Sequence, residues 1–391
     1  MKRLVEKIIA TLFKWIGKSK TQDVIYFESF HGKQFSDNPK AIYDCLKNEY
    51  PNLELVWGVT KGYEAPFLKE EVPFVRRFSL RWFFTMPKAC VWVTNTRTPL
   101  WLTKSKKTTY IQTWHGTPLK RLGADIGDVN IPGYTKESYT TEFANESQRW
   151  DYLLSSSPYT TKHFREAFMY TGEVLDSGYP RNDLLIDVKY DKLLKNRLKE
   201  QLEIPVDKRV VLYAPTWRES DSKGANQYGF SIDFPFSDFT SIYGEDSILL
   251  VRMHYLVAEN LDFSKWPKSV VLDVSTGYDM SQLLAVSDIL ITDYSSCLFD
   301  FSLTNKPMIF YIPDKDYYET QLRGFYFPIE STLPGPIVET KHALLSALSY
   351  IDEQENRYQD KYLEFREEFN TYETGQASRQ VAEIINQKVV S

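Results

Sequence analysis

Two rhythms of hydrophobic and polar positions alternate along this chain. Short apolar runs of strand length, DVIYFES from Asp23, LELVWGV from Leu53, VPFVRRF from Val72, CVWVTNT from Cys90 and TTYIQTW from Thr108, alternate with helical patterns such as NPKAIYDCLKNEY and RWFFTMPKA. That alternation is the signature of βαβ units and a parallel sheet. Residues 151–185 add YLLSSS, a helix around Thr160 to Phe168, and VLDSGYPRNDLL. After the charged run YDKLLKNRLKEQLEI the rhythm restarts with RVVLYAPTW, SILLVRMH, VVLDVS, MSQLLAVSDILITDYSS, KPMIFYI and the helical KHALLSALSYI. The pattern predicts an α/β protein of two Rossmann-like doubly wound domains facing a cleft, at 21–188 and 189–365. Ligands in such sheets bind beyond the carboxyl ends of the strands. A final helix over 366–391 has the option of packing back on the first domain.

The first twenty residues differ in pattern. Leu4, Val5, Ile8, Ile9, Leu12, Phe13 and Ile16 recur at helical spacing, flanked by Lys2, Arg3, Lys7, Lys14, Lys18 and Lys20 against one acid, Glu6. The apolar stretch is too short to span a bilayer and lacks a small-residue cleavage site. The expectation is an amphipathic helix, 1–20, lying on an anionic membrane surface. The competing reading is a helix packed on its own domain or on a partner chain.

Composition narrows the function. A chain of 391 residues exceeds what one core of roughly 250–300 residues serves, which supports two domains. A net charge of −5 gives no reason to expect nucleic acid. Cys45, Cys90 and Cys297 have an odd count and no CxxC spacing, so neither a disulfide framework nor a zinc site is indicated.

The chemistry-bearing residues fall where the predicted strands end. His115 follows TTYIQTW, with Gly116, Thr117 and Pro118 after it; Pro215, Thr216, Trp217 and Arg218 follow VLYA; Arg252, Met253 and His254 follow SILLV; Asp293, Tyr294, Ser295 and Ser296 follow ILIT. Arg181 stands in GYPRND. Guanidinium groups pair with phosphate oxygens, and a helix opened by two serines offers free N–H groups. The set suits a phosphorylated or nucleotide ligand. Singly, each has a plainer reading: a structural histidine, a tight turn, an ordinary N-cap or a surface charge.

No GxxxxGK[ST], GxGxxG after a strand, HExxH or GxSxG occurs, which removes support for P-loop, dehydrogenase, zincin and α/β-hydrolase chemistry. A single DxD, Asp314-Lys315-Asp316, reads as a solvated loop, so no metal and no cofactor is expected.

TWHGTPLK (113–120), GYPRND (178–183), YAPTWR (213–218), VRMH (251–254), SDILITDYSS (287–296) and RGFY (323–326) together resemble the CDP-glycerol:poly(glycerophosphate) glycerophosphotransferases, the teichoic-acid primases and polymerases of Gram-positive bacteria. ESFHGKQFSDNPKAIY (28–43) is also similar to that family's amino-terminal block. One departure is Tyr255 after His254, where the family commonly has proline. The resemblance implies a GT-B-like pair of domains, the first for the acceptor and the second for the donor. It also implies a peripheral location at the cytoplasmic face of the membrane, and transfer of an alditol phosphate from CDP-glycerol to an undecaprenyl-diphosphate-linked saccharide. A CDP-ribitol donor, a GT-B glycosyltransferase and a non-catalytic nucleotide-binding adaptor are the alternatives.

The residues and the resemblance converge on attack by an acceptor hydroxyl at the β-phosphorus, with CMP leaving. His115 is the expected general base. His254 and Arg252, with Arg218 and Arg181, are expected to hold the diphosphate, and Ser295 and Ser296 to neutralise the departing phosphate. Asp293, Gly116 and Thr117 complete the expected donor site, with Pro215, Thr216 and Met253 lining it.

Overall fold

The computed structural model describes residues 2–18, 22–127, 135–216, 233–253, 263, 265–314 and 324–390. The chain divides into two compact units, Met1–Asp183 with Thr371–Ser391, and Leu184–Asn370. Each is built on one parallel sheet, which makes the protein a pair of Rossmann-like α/β units.

The first unit carries seven strands: β1 (Gln22–Glu28), β2 (Glu54–Val59), β3 (Phe74–Arg76), β4 (Ala89–Thr94), β5 (Thr109–Gln112), β6 (Tyr152–Leu154) and β7 (Glu173–Leu175), in the order β3-β2-β1-β4-β5-β6-β7. Parallel strands covered on both faces need apolar side chains on both, and all six residues of β4 are buried. The order reverses direction between β1 and β4. At such a switch point the loops after the two central strands diverge and leave a crevice.

Aromatic residues fill this core. Tyr26, Trp57, Trp82, Trp92 and Tyr110 are all 0% exposed. The last helix, Ala377–Val390, closes one face by inserting Val381, Ala382 and Ile385 among Phe27, Ile42 and Trp57. Burying each of the larger of these side chains is worth about 2 kcal/mol. Its first N–H groups have no intrahelical partner, and the Asp183 carboxylate supplies one, accepting from Ala377 N at 3.0 Å and Ser378 N at 2.7 Å. Glu373 likewise accepts from Tyr179 N and Asn182 Nδ2 at 3.1 and 2.9 Å, so the segment is fastened to the GYPRND turn.

Helix α1 (Lys2–Ile16) packs on the same unit through Phe13, fully buried with its ring 5.2 Å from Trp82 and 6.0 Å from Phe83. Ile8, Leu12 and Trp15 stay 53, 48 and 72% exposed. Among the described residues no helix is long and apolar enough to cross a membrane.

The second unit carries β8 (Arg209–Ala214), β9 (Ser247–Val251), β10 (Val271–Asp273), β11 (Ile289–Thr292), β12 (Met308–Tyr311) and β13 (Ile337–Val338), in the order β10-β9-β8-β11-β12-β13. Its switch point lies between β8 and β11.

Candidate functional site

In the first unit three loops meet beyond the ends of β1, β4 and β5. His115 lies three residues past the end of β5, after Trp114, whose φ of 52° is left-handed. A bulky residue holds that conformation only where its surroundings impose it, and such strain gathers at functional sites. Gln112, fully buried, imposes it by accepting from Trp114 N at 3.0 Å and donating to the Thr96 carbonyl at 3.2 Å.

The His115 ring stacks on Trp114 at 4.6 Å and lies 5.8 Å from the ring of Phe30, yet the residue is exposed at its outer edge. Its Nδ1 is 2.7 Å from the carbonyl oxygen of Asn95. A carbonyl only accepts, so Nδ1 carries the proton and Nε2 keeps a lone pair. Desolvation by the packed loops pushes the pKa of His115 below its ordinary value; Arg181 lowers it further, while the Asn95 bond and Asp37 raise it. The imidazole is therefore neutral at neutral pH, the state a general base needs.

A buried polar group not evident from sequence holds this arrangement. Asp37, at the start of α2 (Asp37–Glu49), accepts from Asn95 Nδ2 and pairs with Arg181 Nη1 at 2.8 Å; Asp37 and Arg181 are each 8% exposed. Asn38 accepts from Arg181 N at 3.2 Å and donates to the carbonyls of Thr113 and Trp114 at 3.4 and 3.3 Å. The guanidinium of Arg181 also lies 4.8 Å over the ring of Tyr179. Gly116 is buried, and Thr117 is hydrogen-bonded to Ser156 at 3.1 Å. Asp37, Asn38 and Asn95 were not singled out in the sequence; the only signal was the SDNP stretch opening a helix.

In the second unit the switch-point residues also meet. Asp293, 1% exposed, accepts the Thr216 N–H with both carboxylate oxygens, at 2.8 and 3.0 Å. This fixes the turn after Ala214, whose carbonyl accepts from Thr292 Oγ1 at 2.7 Å. Ser295, Ser296, Pro215 and Thr216 are half-buried, within reach of a ligand. Ser296 precedes the helix Cys297–Phe301 but caps none of its N–H groups with its side chain. Cys297 is a buried thiol pushed up to about 12 by burial and is inert.

Arg252 donates to the Val274 carbonyl, and burial lowers its pKa against the opposing pull of Asp279 and Asp273. Met253 is 4% exposed and belongs to the core with Tyr213 and Phe236, so its backbone, anchored to Ser275 Oγ at 2.9 Å, is what it contributes to the loop. Arg218 and His254 lie outside the described residues, as do Lys315 and Asp316. Among the described residues, Asp125, His163 and Glu166 bring ligand atoms close enough to share a cation, within 4.8 Å of one another; none belongs to either switch-point cluster.

The sequence model of CDP-Glycerol:Poly(glycerophosphate) glycerophosphotransferase matches residues 9–387. The chain belongs to that family. It is 46% identical to the teichoic acid glycerol-phosphate transferase of Staphylococcus aureus over 386 residues, 98% of each chain. It is 40% identical over 98% of its length to the teichoic acid poly(glycerol phosphate) polymerase of Bacillus subtilis, of which it spans 51%. A structure of the wall teichoic acid polymerase TagF, a histidine-to-asparagine variant soaked with CDPG, superposes with a TM-score of 0.90 at 36% identity, covering 100% of this chain and 96% of that one. The chain is accordingly a glycerophosphotransferase of the teichoic acid type.

Proposed function

We propose that this protein transfers glycerol phosphate from CDP-glycerol to a hydroxyl of a lipid-linked saccharide, an undecaprenyl-diphosphate-linked one, and releases CMP. The observation that carries the reading is the Asn95 carbonyl on His115 Nδ1, which leaves Nε2 as the proton acceptor. In the reaction the acceptor O–H gives its proton to Nε2, the oxygen bonds to the β-phosphorus, and the bond from that phosphorus to the CMP oxygen breaks. His115 is the catalytic base, oriented by Asn95 and, through it, by Asp37. The Ser295-Ser296 turn, Thr216 and Arg252, joined by Arg218 and His254, hold the donor's diphosphate and offset charge on the leaving phosphate. Asp293 keeps the Thr216 backbone in place for that task. Arg181, tied to Asp37, supplies positive charge beside His115.

Glycerol phosphate in the names of both relatives supports CDP-glycerol over CDP-ribitol. The exposed Ile8, Leu12 and Trp15 of α1, with Lys7, Lys14 and Lys18, support docking of the amphipathic helix on an anionic leaflet at the cytoplasmic face of the membrane. The test is CMP release by purified protein from CDP-glycerol and from CDP-ribitol, each with a lipid-linked disaccharide bearing zero or one glycerol phosphate. Release from CDP-glycerol alone is the expected result. Release from CDP-ribitol alone transfers the reading to that donor, and release from neither removes it.

A further inference from the structure

Two basic side chains on the loops around His115 are left over by the mechanism. Arg97 stands three residues past the end of β4, and its guanidinium carbon is 3.9 Å from the ring centroid of Phe143 and 5.7 Å from that of Tyr139. Stacking fixes the plane of the fork, yet among the described residues its N–H groups meet no hydrogen-bond or ion-pair partner. His31 is the second. It sits in the turn after β1 at φ 59°, and its imidazole, too, makes no hydrogen bond among the described residues.

The turn itself is firmly held. The His31 carbonyl accepts from Arg77 Nη1 at 2.6 Å and Thr60 Oγ1 at 2.8 Å, and Arg77 pairs with the buried Glu28 at 3.2 Å. Gly32 follows at φ 75°, where a Cβ would lie 2.6 Å from the Gly58 carbonyl oxygen, so only glycine closes the turn. Phe30 N donates to Asn95 Oδ1 at 2.9 Å, which ties this turn to the loop that bears Arg97 and orients His115. Burial first, and then the charges of Arg77, Lys33 and Arg97, push the pKa of His31 below its ordinary value, so its imidazole is neutral at neutral pH. Arg77, Lys33 and Arg97 thus place positive charge around this imidazole at the β1/β4 switch point, where a ligand is expected.

We propose that Arg97 and His31 form an anion subsite that takes a phosphoryl group of the acceptor, next to the hydroxyl that His115 deprotonates. The proposal rests on the transfer reaction above and names the feature by which the first unit recognises its substrate. A stacked guanidinium with no hydrogen-bond partner among the described residues is preorganised for two parallel bonds to phosphate oxygens, and the neutral imidazole of His31 adds a third donor through its N–H. The phosphoryl group has two sources, a terminal glycerol phosphate or the lipid diphosphate.

The experiment measures acceptor and donor KM for the wild type, R97Q, H31Q and R97K with both lipid-linked disaccharides, alongside the unfolding midpoint of each. R97Q and H31Q are expected to raise acceptor KM about tenfold or more, the loss of a charge-assisted bond, with donor KM and midpoint unchanged and R97K intermediate. A rise confined to the acceptor bearing glycerol phosphate assigns the terminal phosphate; an equal rise with both assigns the diphosphate. An unchanged acceptor KM, or a loss that falls on donor KM, overturns the subsite. If the wild type releases no CMP at all, the transfer reading fails separately. The subsite is then read by calorimetric titration of glycerol 1-phosphate into the wild type and the R97Q/H31Q double variant: weaker binding by the variant sustains it, equal or no binding by both ends it.

Discussion

His115 Nδ1 lies 2.7 Å from the carbonyl oxygen of Asn95, and the Asn95 side chain in turn donates to Asp37, which pairs with Arg181. The chain of contacts starts at an exposed imidazole and ends in a buried ion pair. Chemistry is thereby separated from support, and each can be tested alone.

Replacing His115 by alanine removes the base with its stacking on Trp114 and its bond to the Asn95 carbonyl, while the buried Asp37–Arg181 pair stays in place. Turnover is expected to fall about 10²–10⁴-fold, the usual share of general base catalysis, while donor KM changes little. CMP release at saturating CDP-glycerol measures this. Near-normal turnover would take the base away from His115.

The pH dependence follows from the direction of the His115 shift. Desolvation and Arg181 lower its pKa against the pull of Asn95 and Asp37, so the neutral, active form persists below the ordinary histidine value near 6.5. The acid limb of kcat/KM is therefore expected below pH 6.5. Asp37→Asn removes a group that raises the pKa and releases Arg181, which lowers it, so the limb should move to still lower pH. Because both partners of that pair are buried, the variant should also lose about 3 kcal/mol in denaturant unfolding. A limb that moves upward would contradict the assignment.

How much of this was readable in advance depends on sequence separation. The strands were legible because parallel strands buried on both faces need continuous apolar runs, and the residues just past their ends stood out for the same reason. His115, Thr216, Asp293 and the serine pair were found that way. Asp37 and Asn38 were not, because their partners lie far along the chain: Arg181 is 144 residues from Asp37, and Thr113 is 75 from Asn38. Nor does local pattern reveal that Met253 belongs to the core, or that Asp183 caps a helix 194 residues later. The tautomer of His115 rests on a backbone carbonyl, which carries no residue identity.

In the second unit, Asp293→Ala takes away both oxygens that fix the Thr216 N–H. Removing a buried charged acceptor costs about 1–3 kcal/mol, and the turn that it holds is part of the proposed diphosphate site. Donor KM is expected to rise about tenfold while the acid limb assigned to His115 stays where it is. Steady-state kinetics across pH separates the two effects. A shifted limb with an unchanged donor KM would place Asp293 in a different role.

Helix α1 offers a test in which two neighbouring positions should behave oppositely. Phe13 is fully buried against Trp82 and Phe83, so Phe13→Ala should cost about 3–5 kcal/mol of stability. Leu12 and Trp15 face away, 48 and 72% exposed, and their replacement by aspartate should leave the unfolding midpoint within about 0.5 kcal/mol of the wild type. If that face meets lipid, the same aspartates put charge where acyl chains should be and weaken binding to anionic vesicles at least tenfold, with activity on a soluble acceptor analogue intact. Vesicle flotation and a soluble-acceptor assay on one variant decide the matter. Unaltered flotation by Leu12→Asp/Trp15→Asp would leave α1 as a packing helix whose apolar outer face serves some other contact.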